Sequence, residues 1–195
     1  MPESEVHAPG GGMIVGALAR DLAAWHPPSP GMARLRDDYL AFLDERGSRA
    51  LDRDGGREHL TSSCFVFTPD RSSVLLCFHR KGRFWVQLGG HIENADASVS
   101  EAAFREAVEE GGIPVDPVSV LPVDVDRHAL SAGFGRCAVH WDVGFAATAT
   151  AGSVPVVSDE SDDVRWWPVD ALPSAVPGGF GDRLSRVIEA LSERP

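Results

Sequence analysis

Lysine is almost missing from these 195 residues: Lys81 stands alone, and arginine supplies every other permanently basic side chain. Base of either kind is scarce, 18 residues against 29 acids, for a formal charge of −11. That balance excludes the cationic surface on which non-specific nucleic-acid binding depends. Cysteine is scarce too. Cys64, Cys77 and Cys137 lie far apart with no CxxC pair, which excludes a disulfide framework or a zinc knuckle and implies reduced thiols. Cys64 and Cys77 fall in apolar, strand-like runs, where a small buried thiol is expected. No uninterrupted apolar run approaches the ~18 residues of a membrane helix. The start, MPESEVHAPGGG, has neither a basic n-region nor an apolar h-region, so no secretory signal is read and the cytoplasm is the expected location. Internal repeats and coiled-coil heptads are absent as well.

What is present suits a folded chain. Apolar residues make up 43% and charged ones 24%, enough for one domain of ordinary size with an extension. Residues 1–12 read as a Pro- and Gly-rich tail. Helical spacing over Met13–Trp25 ends at Pro27-Pro28, and a second helix is expected from Met32 to Leu43, with Leu35, Tyr39, Leu40 and Leu43 as its stripe. The polar connector SRALDRDGGREH puts a boundary near residue 57. Beyond it, Thr61–Thr68, Ser73–Phe78 and Arg83–Leu88 are strand-like, the first two separated by the turn signal PDRS. Val118–Val125, Cys137–Ala147 and Asp163–Trp167 are further strands, and Asp182–Leu191 is an amphipathic closing helix. Several strands follow one another directly, so mixed α+β layers are expected rather than a doubly wound parallel sheet.

The densest chemistry lies in GGHIENADASVSEAAFREAVEEGGI. Ser98 and Glu101 form an S-x-x-E capping box, with Ser98 accepting from the Glu101 amide and Glu101 reaching back to the Ser98 amide. On the helix that follows, Glu106, Glu109 and Glu110 fall within ~100° of one another, and Phe104, Ala107 and Val108 point the other way, toward a core. Like charges so placed repel and call for cations. Arg105, one turn from Glu101 and Glu109, relieves part of the repulsion. Hard oxygen donors of this kind suit Mg²⁺ or Mn²⁺; a solvated acidic face is the plain alternative.

GGHIENAD…REAVEEGGI resembles the Nudix box: G, five residues, E, seven residues, then R-E-(apolar)-x-E-E-x-G-(apolar). Gly90, Arg105, Glu106, Ala107, Glu109, Glu110, Gly112 and Ile113 match it. Asp96 stands where Glu is usual, and eight residues rather than seven separate it from Arg105. Offsets from Ser98 onward agree with the pattern, so the surplus residue lies in the loop around Asn94–Ala97. There it lengthens a loop, whereas inside the helix it would rotate the acids apart by ~100°. Asp96, one methylene shorter than Glu, can still reach Arg105 from that longer loop.

The resemblance covers roughly the last two thirds of the chain, from HLTSSCFVF to VRWWPVDALP. It implies a Nudix-type α/β/α sandwich with a mixed sheet, residues 58–195, behind an N-terminal tail and helical extension, residues 1–57. It also implies hydrolysis of a diphosphate linkage in a nucleotide or nucleoside-diphosphate derivative. Glu106, Glu109 and Glu110 would hold Mg²⁺, or Mn²⁺ in its place, with a backbone carbonyl of Gly89 or Gly90. Arg105 belongs to the same catalytic set. Glu160, in SDESDDVRWW, is the favoured general base and Glu106 the competing one; a loop carboxylate among Asp159, Asp162 and Asp163 is the bland reading of Glu160.

Other residues are weighed beside these. Arg83, in the basic run HRKGR, could meet substrate phosphates or simply sit in a solvated turn. Trp85 and Gln87 alternate on one strand and would share a face that either stacks a base or packs the core. His91 and Glu93 fall near the metal site by the same resemblance. His128, His140 and Asp142 could meet across neighbouring strands, although no GxSxG elbow supports a nucleophilic triad. The partner implied is a small phosphorylated molecule, without nucleic acid or membrane, and a homodimer is compatible. A non-catalytic nucleotide-sensing module is the first alternative. An isopentenyl-diphosphate-isomerase-like enzyme using Cys64 ranks below it, since SSCFVF does not match that family's cysteine motif.

Overall fold

The computed structural model describes residues 10–130, 137–158 and 161–193; Glu160 lies outside them, as do residues 1–9 of the tail. Two helices open the fold, α1 (Gly11–Ala24) and α2 (Pro30–Arg46). Helix α1 takes in Gly11 and Gly12, which composition assigns to the tail. Helix α2 starts at Pro30, two residues before the expected Met32, because Ser29 accepts from the Met32 amide at 3.2 Å and Pro30 occupies the first turn. A 3-10 turn, Gly47–Leu51, leads to the first strand.

Seven strands follow: β1 (Glu58–Phe67), β2 (Ser73–His79), β3 (Phe84–Val86), β4 (Leu88–His91), β5 (Val115–Ala129), β6 (Val139–Ala149) and β7 (Ser161–Pro168). Helix α3 (Val99–Gly111) separates β4 from β5, and α4 (Phe180–Ser192) ends the described chain. The run expected as one strand, Arg83–Leu88, is divided in two. β3 pairs with β2, β4 pairs with β1, and Gln87 falls between them rather than beside Trp85 on one strand. The chain changes partners there, a long-range choice that strand periodicity does not register.

The sheet runs β3-β2-β1-β6-β5, with β4 added on β1 and β7 on β2. β1 and β6 are parallel from Glu58↔Val139 to Phe67↔Thr148; the other pairings are antiparallel, so the sheet is mixed as expected. β1 is buried along nearly its whole length because both its faces are covered. Leu60, Cys64 and Val66 join the cluster under α1, α2 and α3, while Phe65 and Phe67 join the one under α4. This is the α/β/α sandwich. The helices before residue 58 share its core: Phe42 stacks on Trp141 at 4.5 Å, Tyr39 meets Trp141 edge-on at 4.9 Å, and the Tyr39 hydroxyl lies 2.7 Å from the Asp142 carbonyl. No helix among the described residues is long and apolar enough to cross a membrane.

Candidate functional site

Helix α3 positions the acidic face. Ser98 caps it, accepting from the Glu101 amide at 3.0 Å. The return arm differs from expectation, since Glu101 accepts from the Ala97 amide at 2.7 Å rather than from that of Ser98. The Glu101 carboxylate thus holds the amide just ahead of the cap. The inward stripe is Val99, Ala102, Ala103, Glu106, Ala107, Glu110 and Gly111. Ala107 is buried as expected and Phe104 packs partly against the core, edge-on to Phe145, but Val108 is exposed. Two glutamates lie on the inward stripe instead, so this part of the helix is not a solvated face. Glu106 is 9% exposed and Glu110 8%, whereas the Glu109 side chain is 59% exposed.

What receives these buried acids is the glycine pair on β4. Gly89 donates its amide to Glu110 at 2.9 Å. A Cβ on Gly90 would lie 2.6 Å from the Glu106 carboxylate, so only a residue without a side chain leaves Glu106 in place. Gly89 has φ 152, and a Cβ there would lie 2.4 Å from the Ser62 carbonyl oxygen. Beneath Glu110 sits Cys77, its sulfur 3.9 Å from a carboxylate oxygen; burial and then the Glu110 charge push its thiol well above the ordinary range.

Arg105 gathers the rest. Its Nε and Nη2 donate to the two oxygens of buried Asp96 at 2.9 and 3.0 Å, a bidentate pair. Its Nη1 donates to Glu106 and to Glu109, each at 3.0 Å, and lies 4.0 Å from Glu93. Nη2 also donates to the His91 carbonyl at 3.0 Å. Hydrogen bonding to Asp96 outweighs the opposing effect of partial burial and raises the guanidinium's affinity for its proton above the ordinary value. The longer loop therefore delivers Asp96 to Arg105, helped by the Glu93 amide, which donates to Asp96 at 2.7 Å. Beside this face an open groove of about 560 Å³ runs between α3 and β5, with Phe104, Val108, Val115 and Val120 along it and Arg105 and Glu109 at its rim.

The remaining candidates are placed elsewhere. Trp85 packs against Phe78 at 5.3 Å and Trp167 at 5.2 Å in the cluster under α4. Arg83 lies in the β2–β3 turn, its Nη1 2.8 Å from Asp162, which Arg80 also contacts at 2.9 Å. Gln87 is half-buried between β3 and β4. Cys64 is fully buried, and desolvation holds its thiol protonated, so the isomerase reading gains nothing. Asp142 is bound by Arg183 of α4, which contacts it at 2.7 Å and Asp124 at 2.7 Å. His128 and His140 are cross-strand partners, their rings 5.5 Å apart.

His91 points its ring away from α3, because Leu88, Gly90 and Ile92 take the α3 side of the pleat. There it meets His140 and His59, the last not foreseen. Burial drives the pKa of His91 down to about 4 and that of His140 to about 3. The three offer one ligand atom each, all within 4.8 Å of one another.

A family model, the NUDIX domain, matches residues 57–190. No curated protein matches the chain. Among solved structures it is similar to a hydrolase of the NUDIX family from Clostridium perfringens, at 26% identity and TM-score 0.54, covering 69% of this chain and 96% of that one. The MutT protein from Methanosarcina mazei Go1 superposes at TM-score 0.57 with 16% identity, over 71% and 98%. A UDP-X diphosphatase shares 15% identity at TM-score 0.55 and covers 93% of this chain and 95% of that one.

Proposed function

The chain belongs to the NUDIX domain family, and on that premise we propose that it is a Mg²⁺-dependent hydrolase cleaving a diphosphate linkage in a nucleotide or nucleoside-diphosphate derivative. The observation that carries the proposal is the charge imbalance at α3. One guanidinium, Arg105, faces Asp96, Glu106, Glu109 and Glu93, four carboxylates within 4.0 Å, and Glu110 adds a fifth acid. Asp96, Glu106 and Glu110 are buried while Glu93 and Glu109 reach solvent, and burying even three acids beside one guanidinium is costly without further positive charge. The donor set fits a hard divalent ion, because it consists of carboxylate oxygens beside a glycine backbone kept open by the lack of a side chain at Gly90.

Glu106, Glu109 and Glu110, with the Gly90 carbonyl, would hold Mg²⁺, and Mn²⁺ can take its place. When bound, the ion neutralises phosphate oxygens and lowers the pKa of an attached water. The protein's own residues do the positioning. Asp96 holds Arg105, Arg105 orients Glu106 and Glu109, and Gly89 orients Glu110. Glu160 is the proposed acceptor of the water's proton, with Glu106 as competitor. Their pH–rate profiles after replacement by glutamine distinguish the two. The groove along Phe104, Val108 and Val120 offers volume for the part of the substrate beyond the phosphates.

Glu110→Gln abolishes turnover while far-UV circular dichroism and thermal unfolding keep a folded profile; full activity with Mg²⁺ supplied would sink the metal role. A panel of nucleoside diphosphate conjugates, UDP-linked ones included, separates hydrolase from sensor. Mg²⁺-dependent phosphorus-product release supports the first. Binding without release from any of them supports the second.

A further inference from the structure

We propose that His59, His91 and His140 form a second metal site, of the Zn²⁺ type, on the opposite side of the sheet from the acidic helix. Three strands build it. His59 on β1 and His140 on β6 are direct parallel partners, and His91 on β4 pairs with Thr61, two residues from His59 on the same side of β1. The rings of His59 and His140 are 4.8 Å apart, those of His59 and His91 5.1 Å, and one ligand nitrogen from each lies within 4.8 Å of the others. A tetrahedral Zn²⁺ with bonds of about 2.0–2.1 Å holds its nitrogens about 3.3 Å apart, so small ring rotations close the set.

The second observation is an orphan. His59 is 1% exposed, and its Nε2 is buried without a hydrogen-bond partner among the described residues. Leaving a buried polar atom without a partner is costly, and a bound ion would supply the missing partner. The other ring nitrogen is accounted for, as Nδ1 lies 3.2 Å from the Cys137 sulfur. That sulfur in turn approaches the Arg57 carbonyl at 3.5 Å and the Val139 carbonyl at 3.4 Å. With the thiol hydrogen directed at a carbonyl, the sulfur accepts from Nδ1–H, which leaves the lone pair on Nε2, the ring nitrogen without a hydrogen bond among the described residues. This is how metal-binding histidines are oriented, with the distal nitrogen fixed by a partner. Neutral imidazoles favour borderline ions such as Zn²⁺ over Mg²⁺. His128, its ring 5.5 Å from that of His140 and its Nδ1 held by Asp126 at 2.8 Å, lies beside the cluster. A bound ion would tie β1, β4 and β6 together and fix His91, whose carbonyl accepts from Arg105 of the acidic site.

The test uses the full chain, stripped of metal, then equilibrated with Zn²⁺ in excess Mg²⁺ and assayed for bound zinc; Co²⁺ serves as the spectroscopic stand-in. One equivalent of zinc per chain is expected, retained in Glu110→Gln, with tetrahedral cobalt absorption. His140→Asn and His91→Asn should each weaken zinc binding at least about tenfold. Their metal-free unfolding profiles should stay close to that of the unmodified chain, which separates lost ligands from lost fold. Failure of the stripped chain to take up zinc overturns the site. So does zinc binding unchanged in both histidine variants, or zinc lost in Glu110→Gln. Hydrolase activity does not enter these outcomes, so this site and the proposed function can fail separately.

Discussion

Two arginines in this molecule gather buried carboxylates, and they do so to opposite ends. Arg183 of α4 is 6% exposed and contacts Asp124 and Asp142, with Asp126 at 3.9 Å. Arg186 adds a second guanidinium on Asp124 at 3.0 Å, Thr61 donates to Asp142 at 2.9 Å, and Ser63 donates to Asp142 as well. Charge there is nearly balanced and sealed. Burial works against Asp142 ionising, yet Arg183 and Ser63 hold its carboxyl below the usual range. Arg105 of α3 is 22% exposed and outnumbered by its acids. The balanced cluster fastens a helix to the sheet. The unbalanced one, beside a groove, is where the proposed metal would sit. Arginine at a carboxylate cluster thus reads as structural or functional according to the local charge sum and access to solvent.

Substitutions sharpen the contrast. Arg183→Met leaves Asp142 and Asp124 buried without their main partner and should cost about 3–5 kcal/mol in denaturant unfolding, with little effect on turnover per folded molecule. A loss below about 1 kcal/mol would break the assignment of this cluster as a clamp. Gly90→Ala reverses the pattern. Its Cβ meets the mobile end of Glu106, so stability should change little while turnover falls at least about tenfold, about 1.4 kcal/mol of barrier. Steady-state kinetics alongside thermal unfolding decide it. Glu109→Gln, which removes one of the excess charges at an exposed position, should raise stability by a few tenths of a kcal/mol in metal-free buffer even as it removes activity. A destabilised Glu109→Gln would mean that the acidic face is already balanced without a metal.

The acidic site was largely legible because its parts are close in sequence. Helical geometry alone brings Glu106, Glu109 and Glu110 together, and the Ser98 cap fixes where counting begins, so the extra loop residue could be assigned before Asp96 was seen on Arg105. Which side of α3 turns inward was not legible: a period of 3.6 places Val108 as readily as Glu110 against a core. The glycine pair decided it, by giving buried carboxylates an amide and an open backbone. The histidine site had single traces in His91 and His140, but His59 carried no sign of its role, since strand pairing, not spacing, brings the three together.

By itself the sequence determined the element types, the acidic helix with its cap and glycine-bounded ends, and the family these residues point to. The elements and the helix rest on short-range geometry of 3.6 and 2 residues per repeat, and the family on the likeness of one short motif. Only the tertiary structure decided that Gln87 separates two strands, that Arg183 closes on Asp124 and Asp142, and that His59 faces His140. Those outcomes depend on which strand lies beside which. That choice is made by burial summed over both faces of the sheet, a quantity no local stretch of chain contains.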